Sequence, residues 1–184
     1  MFAILIINVV LINNAGILGK AQEESLSDLR STYNEVLNIN LTSVAVLTDA
    51  FIPLLHNSAD PKVINVTSGL GSITNTLTRK MGRYPTYGSS KIGMNGATVH
   101  MQTAENDRIA ALAEKSEETK ETRVRFYVVQ PGVLKTAFTR YSPRGKDPKE
   151  GAEVVVRLLL DEEGTYPGGT YWEFEDGEMK QVPW

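Results

Sequence analysis

Three short apolar runs, each closed by small or polar residues and separated by long helical stretches, constrain this chain more than any other feature. The first is Val9-Val10-Leu11-Ile12, stopped by Asn13-Asn14-Ala15-Gly16. The second is Val63-Ile64-Asn65-Val66, preceded by Pro61 and ending at Thr67-Ser68-Gly69. The third is Val124-Arg125-Phe126-Tyr127-Val128-Val129, stopped by Pro131-Gly132. Such short, β-branched runs are strands buried on both faces, as in a parallel sheet. Between the first two, from about residue 27 to 55, Leu29, Tyr33, Val36, Leu37, Asn40, Val44, Leu47, Phe51 and Leu54 recur at intervals of three or four, the spacing of one helix face. A second helix starts near Tyr87 and runs past residue 110, a third spans about 149 to 160, and a strand forms around 170 to 173. Strands alternating with helices predict an α/β protein with a parallel sheet. No repeat or linker interrupts the pattern, so residues 1–184 read as a single domain.

The 184 residues are 41% hydrophobic, enough for one buried core. Nineteen basic and 22 acidic residues are spread evenly for a net charge of −3, which leaves no electrostatic footprint for nucleic acid. The absence of cysteine excludes disulfides and thiolate metal sites and fits a reducing, cytoplasmic compartment. Neither His56 nor His100 has a carboxylate or second histidine at ligand spacing, so no metal is predicted. Two Asn-x-Thr sequons, at Asn40 and Asn65, fall inside elements that read as buried. Residues 1–12 are almost wholly apolar but too short to span a bilayer, and they lack a basic leader. They read as a buried strand, with no membrane partner, and residues 1–7 would extend it. The charged residues 114–121 read as a solvated helix end and linker.

Tyr87-Gly88-Ser89-Ser90-Lys91 carries the chemistry. Residues four apart share a helix face, so the phenol and ammonium can meet in one pocket. A phenol titrates near ~10 in water. A nearby cation favours the phenolate and lowers that value, giving a general acid/base near neutral pH. Alone, such a pair is common on solvated helices. Its weight comes from the company it keeps. In a parallel α/β sheet, ligands bind at the carboxyl ends of the strands. Those ends carry Asn13-Asn14-Ala15-Gly16, Thr67-Ser68-Gly69-Leu70-Gly71 and Pro131-Gly132-Val133-Leu134-Lys135-Thr136. Asn40 lies in the intervening helix, and Tyr87 and Lys91 lie just beyond the second strand.

In this order the set resembles the classical short-chain dehydrogenase/reductase family, over residues 9–184. Asn13-Asn14-Ala15-Gly16 is similar to that family's motif after its fourth strand, Asn40 to its helix asparagine, and Ser68 to the serine ending its fifth strand. Pro131, Gly132 and Thr136 are similar to its nicotinamide-side motif. Gly168-Gly169-Thr170-Tyr171-Trp172-Glu173 and the ending Val182-Pro183-Trp184 resemble the carbonyl-reductase-like branch. The resemblance implies a partial doubly wound, Rossmann-like sheet with strands four to seven and their helices. It also implies a catalytic set of Ser68, Tyr87, Lys91 and Asn40. Tyr87 would give a proton to a carbonyl oxygen that Ser68 holds. Lys91 would lower the tyrosine pKa and hold the nicotinamide ribose, and Asn40 would hold a water linking Lys91 to solvent. Asn14, Ala15, Gly16, Tyr87, Lys91, Pro131, Gly132, Leu134 and Thr136 would contact NADP or NAD, with NADP favoured by the resemblance alone. The long helices matching residues 27–55 and 87–110 would make a homo-oligomer. The stretch between Ser68 and Tyr87 is longer than the family's commonest spacing, so Ser72 rivals Ser68 for the serine role.

The family's Gly-rich phosphate turn, Thr-Gly-x-x-x-Gly-x-Gly, has no counterpart upstream of Asn13, and strands one to three with their helices are absent. Two functions are therefore expected to compete. One is an NAD(P)-dependent oxidoreductase acting on a carbonyl or secondary alcohol. The other is a non-catalytic remnant, or an incomplete gene product, that pairs with a full-length relative. Residues 137–141 with Leu70, Ile73 and Tyr84 would line an apolar pocket for a hydrophobic small molecule.

Overall fold

A computed structural model describes residues 8–19, 24–81, 84–114, 122–162 and 164–184. Five strands form one sheet in chain order: β1 (Val10–Asn13), β2 (Lys62–Val66), β3 (Arg125–Gln130), β4 (Thr170–Glu175) and β5 (Glu178–Gln181). The first four run parallel, and β5 returns antiparallel beside β4. This is the parallel α/β sheet that the alternation of runs and helices predicts, and the partial doubly wound form that the resemblance implies. Residues 1–7 and 115–121, expected as a strand extension and a solvated linker, lie outside the described residues.

The fifth strand is not among the expected elements, yet its signal is present in the sequence. Asp176 and Gly177 both take positive φ, 57° and 84°. Asp-Gly is the pair that a two-residue hairpin favours, because both of its positions need that conformation.

Alternation along the strands divides the core. Val63 and Phe126 face one side, packing with Leu55, Val124 and Met101. Ile64, Tyr127 and Val129 face the other, against Val154 and Leu158 of α5 (Pro148–Leu159). The first side is covered by α2 (Ser43–His56) and α4 (Pro85–Ala113), with α1 (Leu26–Leu37) packed against α4.

α1 and α2 are one helix interrupted by a π turn, Asn38–Thr42, in which Ser43 N–H bonds back to Asn38 O. The wider turn keeps Val36, Asn40 and Val44 all inward at intervals of four, and the buried stripe continues at Thr48 and Leu55. This corrects the sequence reading of the second half. Leu47, Phe51 and Leu54, expected to face inward, are 48%, 38% and 55% exposed. By length and composition Leu26–His56 could cross a membrane, but here its inward residues pack on β1 and β2.

The region between Ser68 and Tyr87, read as a loop, contains a 3-10 turn (Gly69–Gly71) and a short helix, α3 (Ile73–Thr78). Ser72 caps α3 by accepting from Asn75 N–H at 3.0 Å. Along α4 the buried face is polar: Ser90, Lys91, Asn95, Thr98, Gln102 and Glu105. Several of these side chains bond the sheet. Thr98 Oγ1 accepts from Asn65 Nδ2 at 2.8 Å, Gln102 Oε1 from Phe126 N–H at 2.8 Å, and Glu105 Oε1 from Val124 N–H at 2.9 Å. Paired in this way, Thr98, Gln102 and Glu105 escape the cost of unmet hydrogen bonds, whereas Asn95 Oδ1 has no partner among the described residues.

Candidate active site

The carboxyl ends of β1, β2 and β3 lie side by side because the three strands are parallel and adjacent. That edge gathers Asn14 to Gly16, Ser68, and Pro131 with Gly132. α4 runs beneath it and brings up Tyr87 and Lys91, 7% and 3% exposed.

Ser68 is extended, and its Oγ accepts from Leu70 N–H at 3.3 Å. The hydroxyl hydrogen is left to give, and the side chain lies in hydrogen-bonding reach of the Tyr87 phenol. Ser72 does not compete for this place. Its hydroxyl donates to Pro183 O at 2.6 Å while capping α3.

Lys91 Nζ donates to Val66 O at 2.9 Å and lies over the Tyr87 ring, 5.7 Å from its centroid. The expected electrostatics are reversed in one respect. Burial pushes the Tyr87 phenol above its usual value, against the smaller, lowering effect of the Ser68 hydrogen bond. Burial also brings Lys91 down to about 8. Both groups are thus moved toward their uncharged forms, because desolvation disfavours charge on either. The sequence reading, in which Lys91 lowers the tyrosine, omits this cost.

Asn40 is completely buried and clamps the loop after β1. Its Oδ1 accepts from Ile17 N–H at 2.8 Å, and its Nδ2 donates to Ile17 O at 2.8 Å and to Ser90 Oγ at 3.0 Å. Both amide hydrogens are used, so the side chain has none to offer the water expected of it. Ser90 passes the connection on by donating to Tyr87 O at 2.7 Å. Sequence reasoning does not single out Ser90, whose only signal is its position directly before Lys91.

The loop after β1 comes close to this pair. A Cβ added at Gly16 would stand 3.2 Å from Asn40 Oδ1 and 3.5 Å from Lys91 Nζ. Asn14 and Ala15 are exposed beside it. Beyond β3, Gly132 takes φ +79°, and Leu134 bridges to Lys146. Thr136 opens a 3-10 turn, Ala137–Thr139. From that turn Phe138 reaches the Tyr87 ring at 6.0 Å between centroids. Ile73, Tyr84, Phe138 and Tyr141 are all substantially exposed, an apolar rim rather than a closed pocket. Elsewhere His56 meets Glu105 at 3.1 Å, and among the described residues no three His, Cys, Asp or Glu side chains cluster as metal ligands. Asn65 and Asn40, the sequon asparagines, are fully buried.

Comparison with known proteins agrees with this geometry. The chain is 55% identical over 177 residues to a short-chain dehydrogenase/reductase of Aspergillus fumigatus, covering 95% of this chain and 66% of that one. It is 34% identical over 161 residues to a short-chain dehydrogenase of Penicillium roqueforti, covering 83% and 57%. It therefore spans two thirds or less of the length of these relatives. In fold it is similar to an NADPH-bound carbonyl reductase from chicken fatty liver, at a TM-score of 0.71 and 23% identity over 95% of this chain and 65% of that one. Residues 8–147 match the family model for short chain dehydrogenases, and the chain belongs to that family.

Proposed function

We propose that this chain carries the catalytic part of an NAD(P)-dependent oxidoreductase that reduces a carbonyl, or oxidises a secondary alcohol, on a hydrophobic small molecule. One observation carries the reading. Ser68 reaches the Tyr87 phenol at the carboxyl edge of the sheet, with Lys91 against the same ring. Reduction of a carbonyl builds negative charge on its oxygen, which must be stabilised by donors and protonated. A Tyr87 raised above its usual pKa stays protonated at neutral pH and is ready to donate. Ser68 holds the same oxygen through its free hydroxyl hydrogen.

The residues present fit a nicotinamide nucleotide. Gly16 leaves open the space beside Lys91 that a Cβ would occupy. Of the three hydrogens on the ammonium, one goes to Val66 O, and the others would hold a ribose hydroxyl. Asn14, Ala15, Pro131, Gly132, Leu134 and Thr136, at and beyond the ends of β1 and β3, would contact the nucleotide. The nucleotide would supply the hydride. That the chicken reductase holds NADPH supports NADP over NAD. The rim of Leu70, Ile73, Tyr84, Phe138 and Tyr141 supports an apolar substrate. The exposed Val46, Leu47, Phe51 and Leu54 along α2 support self-association through the long helices, since apolar patches of this kind mark protein contacts.

The test supplies the chain with the unmatched third of the Aspergillus relative and follows NADPH oxidation with a panel of hydrophobic ketones. Turnover that disappears in Tyr87→Phe supports the reading. A folded, NADPH-binding fusion with no turnover of any ketone or alcohol would favour the non-catalytic alternative.

A further inference from the structure

The turn that carries Ser68 is not held by the backbone ladder of the sheet. β2 ends at Val66, and the last ladder-like bond on this line is Thr67 N–H to Val129 O at 2.8 Å. Beyond it, the chain from Ser68 to Thr74 turns on itself through Gly71 N–H to Ser68 O at 2.7 Å and Ser72 N–H to Gly69 O at 3.2 Å, and is otherwise fixed by other elements. Tyr171 Oη donates to Ser68 O at 2.7 Å, and Asn95 Nδ2 donates to Gly71 O at 2.9 Å. Ser72 Oγ donates to Pro183 O at 2.6 Å, and Thr74 N–H donates to Trp184 O at 2.9 Å. Three of these bonds come from β4 and the residues that follow β5.

Tyr171 is completely buried, and its ring lies 5.7 Å from that of Trp184. Its oxygen is also 2.9 Å from Gln130 Oε1, and the Gln130 amide donates to Glu173. A phenol has one hydrogen to give, so Ser68 O and Gln130 Oε1 compete for it. Burial, helped by the nearby Glu173, pushes the Tyr171 phenol well above its usual value. The hydrogen therefore stays on Tyr171 throughout the ordinary pH range. The same Gln130 oxygen closes over the next residue, since a Cβ at Gly69 would stand 2.9 Å from it.

Resting on the reading of Ser68 and Tyr87 as the reacting pair, we propose that Tyr171 is a positioning residue. By donating to the Ser68 carbonyl it fixes the backbone from which the Ser68 hydroxyl reaches Tyr87, while Pro183 and Trp184 hold the far end of the same turn. The bond is made to the main chain of Ser68, not its side chain. Its loss leaves the Ser68 carbonyl to Gly71 N–H alone, and so loosens the serine without changing any group in the pocket.

The test reads the pair directly, without turnover. Tyrosine is isotope-labelled in the whole chain, the Tyr87 resonance is assigned with Tyr87→Phe, and its titration midpoint is followed by NMR. A donor at Ser68 favours the phenolate, so a displaced Ser68 moves the midpoint up, and Ser68→Ala gives the full upward shift. Tyr171→Phe keeps the ring against Trp184 and is expected to shift the midpoint in the same direction. Gln130→Met removes the competing acceptor and is expected to leave the midpoint at or below that of the parent chain. A folded Tyr171→Phe with an unmoved midpoint overturns the proposal. So does a lowered Tm with no change in midpoint, which is what packing alone would give. If Tyr171→Phe does not fold, Trp184→Leu replaces it, loosening Tyr171 while keeping the residue 184 carbonyl for Thr74. An upward shift there supports the proposal, and none overturns it. Because turnover is not measured, failure of the catalytic reading would leave this result standing, and the two remain distinguishable.

Discussion

The Lys91 ammonium lies over the Tyr87 ring, 5.7 Å from its centroid, and burial pushes both groups toward their uncharged forms. In the folded chain Lys91 releases its proton at about 8, against 10.5 for a free lysine. Between these values the unfolded chain binds a proton that the folded one has lost, so this residue makes stability rise with pH. Lys91→Met lacks that contribution. From neutral to strongly alkaline pH the parent is expected to gain about 3 kcal/mol of unfolding free energy relative to the variant, since each tenfold change in proton affinity is worth ~1.4 kcal/mol. Urea unfolding at each pH measures it, and a constant difference would contradict a desolvated ammonium.

In a turnover-competent fusion, Tyr87→Phe is expected to abolish catalysis while leaving NADPH affinity nearly unchanged. The phenol acts in the transition state, so its loss falls on kcat. Lys91→Ala is expected to damage both, since the same ammonium would hold the ribose. Retention of most activity by Tyr87→Phe would rule out the proton-donor assignment.

The two serines are expected to separate cleanly. Ser72→Ala removes the cap of α3 and its bond to Pro183, costing about 1 kcal/mol of stability, and moves the Tyr87 titration far less than Ser68→Ala does. Ser68→Ala moves that titration upward with little loss of stability. Thermal melts paired with tyrosine NMR distinguish the two, and the reverse pattern would transfer the serine role to Ser72.

Asn40→Leu is expected to destabilise the chain by about 1–3 kcal/mol, because it leaves the half-buried backbone N–H and C=O of Ile17 without their partner. Hydrogen exchange should accelerate first at Ile17 and near Ser90. Uniform acceleration across the sheet instead would mean that the clamp is not local.

A polypeptide of these 184 residues is expected to bind NADPH only at millimolar levels, because the sequence contains no glycine-rich phosphate turn. Charge-assisted bonds to a pyrophosphate contribute about 1.5–3 kcal/mol each, and every 1.4 kcal/mol is about tenfold in Kd. The same chain is expected to self-associate, since among the described residues β1 pairs on one side only and Ile12 is 41% exposed. Fluorescence titration and sedimentation test both. A monomer binding NADPH at micromolar levels would contradict both expectations.

The sequence announces β1 to β3 because each is a compact apolar run with a hard stop. It also brings Ser68, Tyr87 and Lys91 to one edge, because parallel strands align their ends. What it hides depends on contacts far along the chain. α3 is capped by a serine whose hydroxyl is fixed by Pro183, more than a hundred residues away. Nothing near Tyr171 in sequence points to Ser68. α4 conceals its inward face, since that face is polar and leaves no apolar period to read. The apolar periodicity places the inward stripe of α2 one position early because it carries an α-helical turn through Asn38–Thr42, where the chain makes a π turn.

That turn holds one residue more than ideal winding needs. Each residue in an α-helix advances the chain by about 100° around the axis. Val36 and Val44 both face inward although eight positions apart, a separation that ideal winding would set about 80° out of line, and the π turn takes up the difference. Deleting Thr42 would leave seven positions, within about 20° of two full turns, so α1 and α2 would keep their inward faces on an ideal helix. Deleting Asn40 would instead free Ile17 and the loop carrying Gly16 from their anchor near Lys91. The middle of this helix thus tolerates a shortening that spares the asparagine, and a deletion that removes it would act as an active-site mutation.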